Sequence, residues 1–360
     1  MEHAVILAGG RGERFWPLSR KGRPKQLLPI ISEKTMLDET IDRVAPLFPP
    51  ERMWIVTGEE IADLVKQRYS ERLPGIRVLV EPRSNNTCLA IGWAATEIEA
   101  TDADATMVVL SADHAIEPQK TFLKVLHEGI RLAQGEPSLV TIGISPTRPE
   151  TGYGYIELGP HYASSDGIAS YQVEAFREKP DRETAQEYYF DRQHLWNAGI
   201  FVWTTKSLHA ALRAHQPSVM DSLATYSKAI GGKDQSAALA TLYDTTECIS
   251  IDNAILEHAD NVLVIRADMA WDDVGSWLAL DRLYKSSVEN NVVIGKSVSL
   301  DSYDMTVYNE SDDLVCTYGV SDLIVVRTDK VTFVAHKSRM EEIKRLIEHL
   351  KSEAQWDEYL

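Results

Sequence analysis

The sequence has few cysteines, a shortage of basic residues and no long hydrophobic run, and each absence excludes a class of protein. The three cysteines among 360 residues (Cys88, Cys248 and Cys316) are odd in number and lack the paired spacing of a zinc site. They predict a reducing compartment. Lys and Arg number 37 against 54 Asp and Glu, a formal net charge of −17. This balance argues against nucleic-acid binding, because a phosphate backbone attracts basic surfaces.

No apolar run approaches the roughly 20 residues that a membrane-spanning helix needs. The first apolar run, Ala4–Ala8, is too short for a signal peptide and has no basic region before it. We expect a buried first strand in a cytoplasmic protein that binds no membrane. The length allows one large domain, or a large domain with a small one.

Short β-branched runs alternate with helical patterns over roughly the first 285 residues. This alternation is typical of an α/β fold, a mostly parallel sheet flanked by helices. The predicted strands are Ala4–Ala8, Met53–Thr57, Arg77–Glu81, Thr106–Ser111, Ser138–Ile144 and Asn261–Arg266. The predicted helices are Met36–Ala45, Glu59–Gln67, Cys88–Ala100, Gln119–Gln134, Asp181–Asp191 and Ser207–His215.

The pattern changes near residue 290. Short strands separated by polar turns follow, and an amphipathic helix is predicted from Ser338 to Ala354. The sequence therefore predicts two domains, an α/β domain over residues 1–287 and a β-rich segment over residues 288–360. The second would hold a few β-helix-like coils and the final helix. The predicted strands of this part are Asn291–Leu300, Met305–Glu310, Leu314–Val320, Leu323–Arg327 and Val331–Ala335.

A glycine-rich segment, Leu7-Ala8-Gly9-Gly10-Arg11-Gly12-Glu13-Arg14, follows the first predicted strand. Such a turn can bring backbone N–H groups close to phosphate oxygens. The nearby basic residues make a local positive region in an acidic chain, which favours a triphosphate site over a plain tight turn. These basic residues are Arg11, Arg14, Lys21, Arg23 and Lys25.

Two common phosphate motifs are excluded. The third glycine of a GxGxxG fingerprint would fall at Phe15, so the dinucleotide motif fails. Gly295-Lys296-Ser297 resembles the end of a Walker A loop, but the first glycine of that loop would have to be Asn290.

Two acidic positions are candidate metal ligands. Asp113 follows a predicted strand, at the end where open α/β sheets bind ligands. Asp273 lies in Trp271-Asp272-Asp273-Val274-Gly275-Ser276-Trp277, where Asp272 is an equally acidic rival. Mg²⁺ is held by one or two carboxylates together with substrate phosphates, which Asp113 and Asp273 would supply. Each aspartate alone is also compatible with a helix cap or a turn.

Three further segments combine glycine, aromatic and polar residues in ways that suit a sugar. An acid and an amide suit sugar hydroxyls, and a lysine suits a phosphate. Taken singly, each segment is equally compatible with a hairpin turn, a surface ion pair or an Asn-Gly turn. The segments are Thr151-Gly152-Tyr153-Gly154-Tyr155, Phe176-Arg177-Glu178-Lys179-Pro180-Asp181 and Trp196-Asn197-Ala198-Gly199.

Together these segments resemble the sugar-nucleotide pyrophosphorylases, specifically the mannose-1-phosphate guanylyltransferases in their short form, without an appended isomerase domain. The resemblance implies a nucleotide-binding, mostly parallel α/β sheet with a small β-rich C-terminal part. The matching stretches are Leu7–Arg20 with Pro24-Lys25-Gln26, Glu81–Ile91, Ser111–Ile116, Thr151–Ile156, Phe176–Asp181, Trp196–Val202, Ser250–Glu257 and Trp271–Trp277.

The resemblance also implies a reaction: Mg²⁺-assisted transfer of GMP from GTP to mannose 1-phosphate, giving GDP-mannose and pyrophosphate without a covalent enzyme intermediate. It implies that Asp113 and Asp273 hold Mg²⁺ and that Arg14 and Lys25 act on the triphosphate. Sugar-phosphate contacts fall to Gly154, Glu178, Lys179 and Asn197. Nucleotide contacts fall to Leu7, Ala8, Gly9, Gly10, Gly12, Glu81, Asn86, Thr87 and Ala112.

Three positions depart from the family pattern: Asn85 replaces a basic residue, Leu89 a proline and Glu13 a threonine. These changes keep open a relative that uses another sugar phosphate or base, such as glucose 1-phosphate with UTP or dTTP. A catalytically silent regulatory homologue also stays open. A dehydrogenase is disfavoured by the failed fingerprint, and a zinc hydrolase by the histidine spacing. The apolar stripe on the last helix makes a homodimer reasonable.

Overall fold

The computed structural model of the protein describes residues 1–10 and 12–360, so Arg11 of the predicted basic group lies outside the described residues. The chain forms two compact units. The first comprises Met1–Gly9, Thr40–Ala112 and Ile116–Trp271, and the second comprises Gly10–Glu39, Asp113–Ala115 and Asp272–Leu360. The predicted domain boundary after residue 287 stays a prediction.

The bounds of the regular elements are as follows, in chain order. The strands are β1 (Glu2–Leu7), β2 (Met53–Gly58), β3 (Arg77–Glu81), β4 (Thr106–Ser111), β5 (Ala115–Glu117), β6 (Leu139–Ile144), β7 (Gly154–Ser165), β8 (Ile168–Glu178), β9 (His194–Thr204), β10 (Val262–Ala267), β11 (Ala270–Asp272), β12 (Val292–Ile294), β13 (Ser297–Leu300), β14 (Thr306–Asn309), β15 (Val315–Tyr318), β16 (Leu323–Arg327) and β17 (Thr332–His336). The α-helices are α1 (Met36–Val44), α2 (Glu59–Tyr69), α3 (Asn86–Glu99), α4 (Gln119–Gly135), α5 (Arg182–Asp191), α6 (Thr205–His215), α7 (Pro217–Ser227), α8 (Gln235–Thr245), α9 (Leu280–Leu283) and α10 (Ile343–Lys351).

The first unit is built on a large mixed sheet with the order β3-β2-β1-β4-β9-β6-β10-β8-β7. Strands β3, β2, β1 and β4 run parallel, β9 runs antiparallel between β4 and β6, and β6 and β10 are parallel. Leu7 pairs with Ser111, so the ends of β1 and β4 lie side by side. The predicted mostly parallel α/β sheet is confirmed.

The predicted strands and helices of this unit agree with the observed bounds to within two residues. The predicted strands leave out β9 and the long β7–β8 hairpin, and the predicted helices leave out α7 and α8. The hairpin is half exposed along much of its length, so its strands lack the continuous apolar run of a strand buried on both faces. Gly159-Pro160 also interrupts β7 in the sequence.

The second unit contains the β-rich segment. Strands β12, β14 and β16 stack in parallel, β17 adds in antiparallel orientation, and β13 pairs in parallel with β15. The long predicted last helix is divided: a 3₁₀ segment over Lys337–Glu342 precedes α10, and another covers Ala354–Tyr359. Met340, Ile343 and Ile347 nevertheless form one buried face across the first division, which is the periodicity that the sequence showed.

Phe15 and Trp16, which follow the glycine-rich segment, pack against the C-terminal part inside the second unit. The Phe15 and Trp277 rings lie 5.1 Å apart, and the Trp16 and Phe333 rings lie 5.5 Å apart. The indole N–H of Trp277 donates to the carbonyl of Trp16 at 2.9 Å. The glycine-rich loop is therefore anchored by aromatic side chains of the C-terminal part.

Among the described residues, no helix is long and apolar enough to cross a membrane.

Gly295 is expected to be essential to the fold of the second unit. Its φ is +88°, and an added Cβ would overlap the carbonyl oxygen of Asn309. We expect Gly295→Ala to lower the free energy of unfolding by about 2–4 kcal/mol, from the left-handed backbone and the overlap together. Gly319→Ala is the matched control, because Gly319 also has positive φ (+64°) but open space around it. Equal losses for both variants in denaturant titration would contradict the packing argument.

Candidate active site

A cavity of about 510 Å³ in the second unit is lined by the four predicted catalytic residues, Arg14, Lys25, Asp113 and Asp273. They come from sequence segments far apart in the chain, which the fold of this unit brings together. The rest of the lining mixes backbone and charged side chains. It consists of Gly12, Glu13, Phe15, His114, Gly275 and Lys344.

Lys25 is the residue that connects the two acidic segments. Its side chain is 6% exposed, and its ammonium group donates to Asp113 Oδ2 at 2.6 Å and to the backbone carbonyl of Asp273 at 3.2 Å. Nζ also lies 5.5 Å from the centre of the Phe15 ring. A buried ammonium group must be paired, so these contacts hold Asp113 and Asp273 at one wall of the cavity.

The glycine-rich loop approaches Lys25 too closely for a side chain. Gly12 has φ +63°, and an added Cβ would overlap the Cβ of Lys25. The carbonyl of Gly10 accepts a hydrogen bond from the Gln26 side chain at 2.9 Å. Pro24-Lys25-Gln26 thus holds the loop in place, and the exposed Arg14 lies at the cavity.

The structure separates the two rival aspartates. Asp272 is 5% exposed and accepts two hydrogen bonds from Arg282, from Nε at 2.5 Å and from Nη2 at 2.9 Å. It also accepts from the N–H of Val274 at 2.8 Å. Asp272 therefore maintains the local fold. Asp273 is the one of the two that lines the cavity.

The predicted basic group is only partly directed at the cavity. Arg23 makes a two-pronged ion pair with Glu310 at 2.7 and 2.9 Å, so its charge is neutralised within the fold. Glu13, a departure from the family pattern, pairs with Lys351 at 2.8 Å, which offsets a carboxylate next to the loop. Lys344 adds a cation to the cavity from α10. Sequence reasoning missed Lys344, since an exposed lysine on an amphipathic helix carries no signal of its own.

The acidic residues of the cavity fit a hard divalent cation whose coordination is completed by substrate. Carboxylate and carbonyl oxygens are the ligands that such cations prefer, and one or two carboxylates suffice when phosphates supply the rest. No group of three or more His, Cys, Asp or Glu side chains with metal-binding geometry occurs in the part of the chain that the structure describes. Asp113 and Asp273 place two carboxylate residues at this cavity.

In the first unit, Glu81 lies beside the start of the glycine-rich loop. A Cβ placed on Gly9 would be 3.7 Å from Glu81 Oε2, and the Tyr243 hydroxyl donates to Oε1 at 3.1 Å. Burial raises the pKa of Glu81 to about 7, while the hydrogen bond from Tyr243 opposes the shift. Leu7 and Ala112 are also together, since the Ala112 N–H donates to the Leu7 carbonyl at 3.0 Å.

The segment after Glu81 is tied to the chain that follows α8. The buried Asn85 side chain donates to the carbonyls of Thr246 and Glu247 at 3.0 and 3.4 Å. Thr87 accepts from the Ile251 N–H at 2.9 Å, and the Asn86 side chain accepts from the Thr87 N–H at 2.9 Å. Asn85 thus has a structural role where the family pattern has a cation.

Arg83, the nearest alternative cation, is also engaged in the fold. Its guanidinium donates to the Tyr243 carbonyl and lies 3.4 Å from the Asp244 carboxylate. It therefore does not replace the missing basic residue as a free charge.

The predicted sugar-side residues come together elsewhere in the first unit. Gly154 pairs with Glu178 across β7 and β8, and a Cβ on Gly154 would lie 2.6 Å from Glu178 Oε2. Lys179 Nζ lies 2.5 Å from Glu178 Oε1, with the lysine side chain 62% exposed. Asn197 on β9 donates to Asp252 Oδ1 at 2.9 Å. The sequence contained Asp252 within a matching stretch, but nothing in the local pattern distinguished it.

The chain resembles known proteins over nearly its whole length. The model of the nucleotidyl transferase family matches residues 3–288, and the mannose-phosphate isomerase/GMP-like β-helix domain matches residues 295–350. The chain belongs to the nucleotidyl transferase family. A mannose-1-phosphate guanylyltransferase of Klebsiella pneumoniae is 35% identical over 353 residues, covering 96% of this chain and 73% of that protein.

Two further relatives match nearly the whole chain. The xanthan biosynthesis protein XanB of Xanthomonas campestris pv. campestris is 33% identical over 98% of this chain and 74% of its own. A crystal structure from Thermus thermophilus, described as a mannose-1-phosphate geranyltransferase, has a TM-score of 0.86 at 34% identity and covers 97% of this chain and 99% of that one. The resemblance to mannose-1-phosphate guanylyltransferases and the expectation of a nucleotidyltransferase enzyme are confirmed. Nucleotidyl transferases of this kind work with a divalent metal.

The stability of this nucleotidyl transferase should depend on the titration of Glu81. Its pKa is about 7 in the folded protein against an ordinary 4.5, so its contribution to stability falls as the pH rises through that window. Glu81→Gln removes the titration. The free energy of unfolding of the variant minus that of the wild type should therefore increase from pH 5 to pH 8, by on the order of 2 kcal/mol. The exposed Glu59→Gln is the control. Equal differences at both pH values would contradict the assigned shift.

Proposed function

We propose that the protein transfers GMP from GTP to mannose 1-phosphate and releases GDP-mannose and pyrophosphate. The observation that carries this proposal is the buried Lys25, bound to Asp113 and Asp273 at the wall of a cavity that also contains Arg14 and Lys344. Named relatives with this activity, 35% identical over nearly the whole chain, support the choice of substrates.

The reaction is an in-line displacement at phosphorus. An oxygen of the sugar phosphate attacks the α-phosphorus of GTP, the bond from that phosphorus to the β-phosphate oxygen breaks, and pyrophosphate leaves. Positioning and neutralisation of charge carry catalysis of this kind, because no enzyme nucleophile is needed. Arg14, Lys25 and Lys344 supply positive charge at the cavity, and the backbone N–H groups of the loop at Gly10 and Gly12 suit phosphate oxygens.

Asp113 and Asp273 would hold Mg²⁺. When bound, Mg²⁺ neutralises phosphate charge and orients the reacting oxygens. The two carboxylates are hard oxygen donors at one cavity, which supports this cation over a softer one. Lys25 holds Asp113 in position through the 2.6 Å ion pair.

Glu81 would read the guanine base. Guanine presents two adjacent donors on one edge, N1–H and N2–H₂, whereas uracil and thymine present a single N–H there. A carboxylate accepts two such bonds, and the Tyr243 hydroxyl on Oε1 helps to orient it. Leu7, Ala8, Gly9, Asn86, Thr87 and Ala112 would contribute the other nucleotide contacts.

Gly154, Glu178 and Asn197 would bind the hydroxyls of mannose, and the exposed Lys179 its phosphate. The matched ranges 3–288 and 295–350 support the division into a nucleotidyltransferase domain over residues 1–287 and a β-helix-like segment over residues 288–360. Free cysteines at Cys88, Cys248 and Cys316 support a reducing, cytoplasmic location.

The direct test is pyrophosphate release with Mg²⁺. GTP, ATP, UTP, dTTP and CTP would be crossed with the 1-phosphates of mannose, glucose and N-acetylglucosamine. We expect release to be dominated by GTP with mannose 1-phosphate, because Glu81 suits guanine and the sugar-side residues match the mannose branch. If another pair of nucleotide and sugar phosphate gave the most pyrophosphate, the proposed substrates would be wrong. No release from folded protein would favour a silent homologue.

The same assay tests the proposed cation site with one variant and one matched control. Asp273→Asn should lower turnover with the preferred pair by about a hundredfold or more, because a cation ligand is lost. Asp312→Asn, an exposed position of the same unit, should leave turnover unchanged. Near-normal turnover in Asp273→Asn would remove Asp273 from the proposed cation site.

A further inference from the structure

Asp252 contacts the predicted sugar-side residue Asn197. It begins a short π-helical turn, Asp252–Leu256, that precedes β10. Its Oδ1 accepts from the amide of Asn197 at 2.9 Å. Glu178 and Lys179, both predicted to bind the sugar phosphate, are the charged groups that act on it. Asp252 therefore lies within the cluster of sugar-side residues.

The hydrogen bonds of Asn197 define the orientation of its amide. The amide oxygen accepts from Thr141 Oγ1 at 3.0 Å and from the Gly199 N–H at 3.2 Å. Because the Gly199 N–H can only donate, the Asn197 atom that it contacts must be the amide oxygen. The NH₂ group of Asn197 must therefore face Asp252. One N–H of that group bonds Asp252, which leaves the second N–H to donate elsewhere.

We infer that Asp252 is a positioning residue of the sugar subsite, whose carboxylate holds the Asn197 amide so that its second N–H donates to a sugar hydroxyl. The inference rests on the proposed binding of a sugar phosphate by Asn197, Glu178 and Lys179. Without Asp252, the amide would keep its two bonds at the oxygen but lose the contact that fixes its NH₂ end. The expected consequence is weaker binding of the sugar phosphate, with binding of the nucleotide unaffected.

Charge adds a pH dependence to this arrangement. Burial, with a smaller contribution from Glu178, raises the pKa of Asp252 to about 7, and Lys179 and the Asn197 amide oppose the shift. The ionised carboxylate accepts a stronger hydrogen bond than the neutral acid. Binding of the sugar phosphate should therefore weaken as the pH falls through about 7. A phosphate monoester itself gains a proton near pH 6. The pH dependence of sugar-phosphate binding must therefore be compared with that of a variant measured in the same buffers.

The experiment measures KM for mannose 1-phosphate and for GTP in Asp252→Ala, Asn197→Ala and the double variant. We expect Asp252→Ala to raise KM for the sugar phosphate about tenfold or more, the loss of one charge-assisted hydrogen bond, with KM for GTP within about twofold. If Asp252 acts through Asn197, the double variant should be no worse than Asn197→Ala alone. Additive losses, or equal increases in both KM values, would overturn the inference.

The conservative variant Asp252→Asn keeps the shape and an acceptor oxygen but cannot ionise. It should bind the sugar phosphate better than Asp252→Ala. Its KM for the sugar phosphate should vary with pH only through the titration of the phosphate itself, whereas the wild type should show a further inflection near pH 7. An unchanged pH profile would contradict the ionised role. Asp260→Asn, an exposed position nearby in sequence, is the control. Thermal unfolding of each variant separates misfolding from weaker binding.

The wild-type substrate survey separates the two claims. If the wild type turns over a different sugar phosphate, the proposed substrate is wrong, and the same variants are then tested with that sugar. If the wild type turns over mannose 1-phosphate and Asp252→Ala leaves its KM unchanged, the positioning role alone is wrong.

Discussion

The buried ion pair between Lys25 and Asp113 is the interaction on which the candidate active site depends. Removing an ammonium group from water is costly unless its hydrogen bonds are replaced, and here a carboxylate at 2.6 Å and the Asp273 carbonyl at 3.2 Å replace them. Those partners come from separate segments of the chain that the second unit brings together. Gly12 must lie against the lysine stem, which leaves no room for a Cβ. One lysine therefore determines where the loop and both aspartates lie.

The C-terminal part contributes to this arrangement directly. Trp277 and Phe333 pack on Phe15 and Trp16, which follow the glycine-rich loop. Glu310 neutralises Arg23, and α10 brings Lys344 to the cavity. The later part of the glycine-rich loop, from Gly10 onward, belongs to the same compact unit as the β-rich strands. The β-rich segment thus supports the later part of the glycine-rich loop.

Local patterns revealed much of the fold and many candidate site residues. Buried strands such as β1 and β4 have continuous apolar runs. Gly12 and Asp113 were recognisable because they lie in the short segments that follow these two strands. Roles that depend on tertiary contacts could not be predicted from the local sequence. Asp272 and Asp273 are chemically identical neighbours, and the hydrogen bonds of Asp272 to Arg282 and Val274 distinguish them. In the sequence, Asn85 is only the absence of the family's basic residue. The structure shows that its side chain donates to the carbonyls of Thr246 and Glu247. Lys344 and Asp252 likewise depend on tertiary neighbours.

The proposed cation site is tested most sharply by a crystal structure with Mn²⁺ in place of Mg²⁺ and a GTP analogue whose α–β bridge cannot be cleaved. Anomalous scattering would locate the cation without relying on activity. We expect one Mn²⁺ bound by the carboxylates of Asp113 and Asp273 and by a phosphate oxygen, with Lys25 still buried beside Asp113. A cation bound by Asp272, or a triphosphate located away from Arg14 and Lys25, would contradict this expectation.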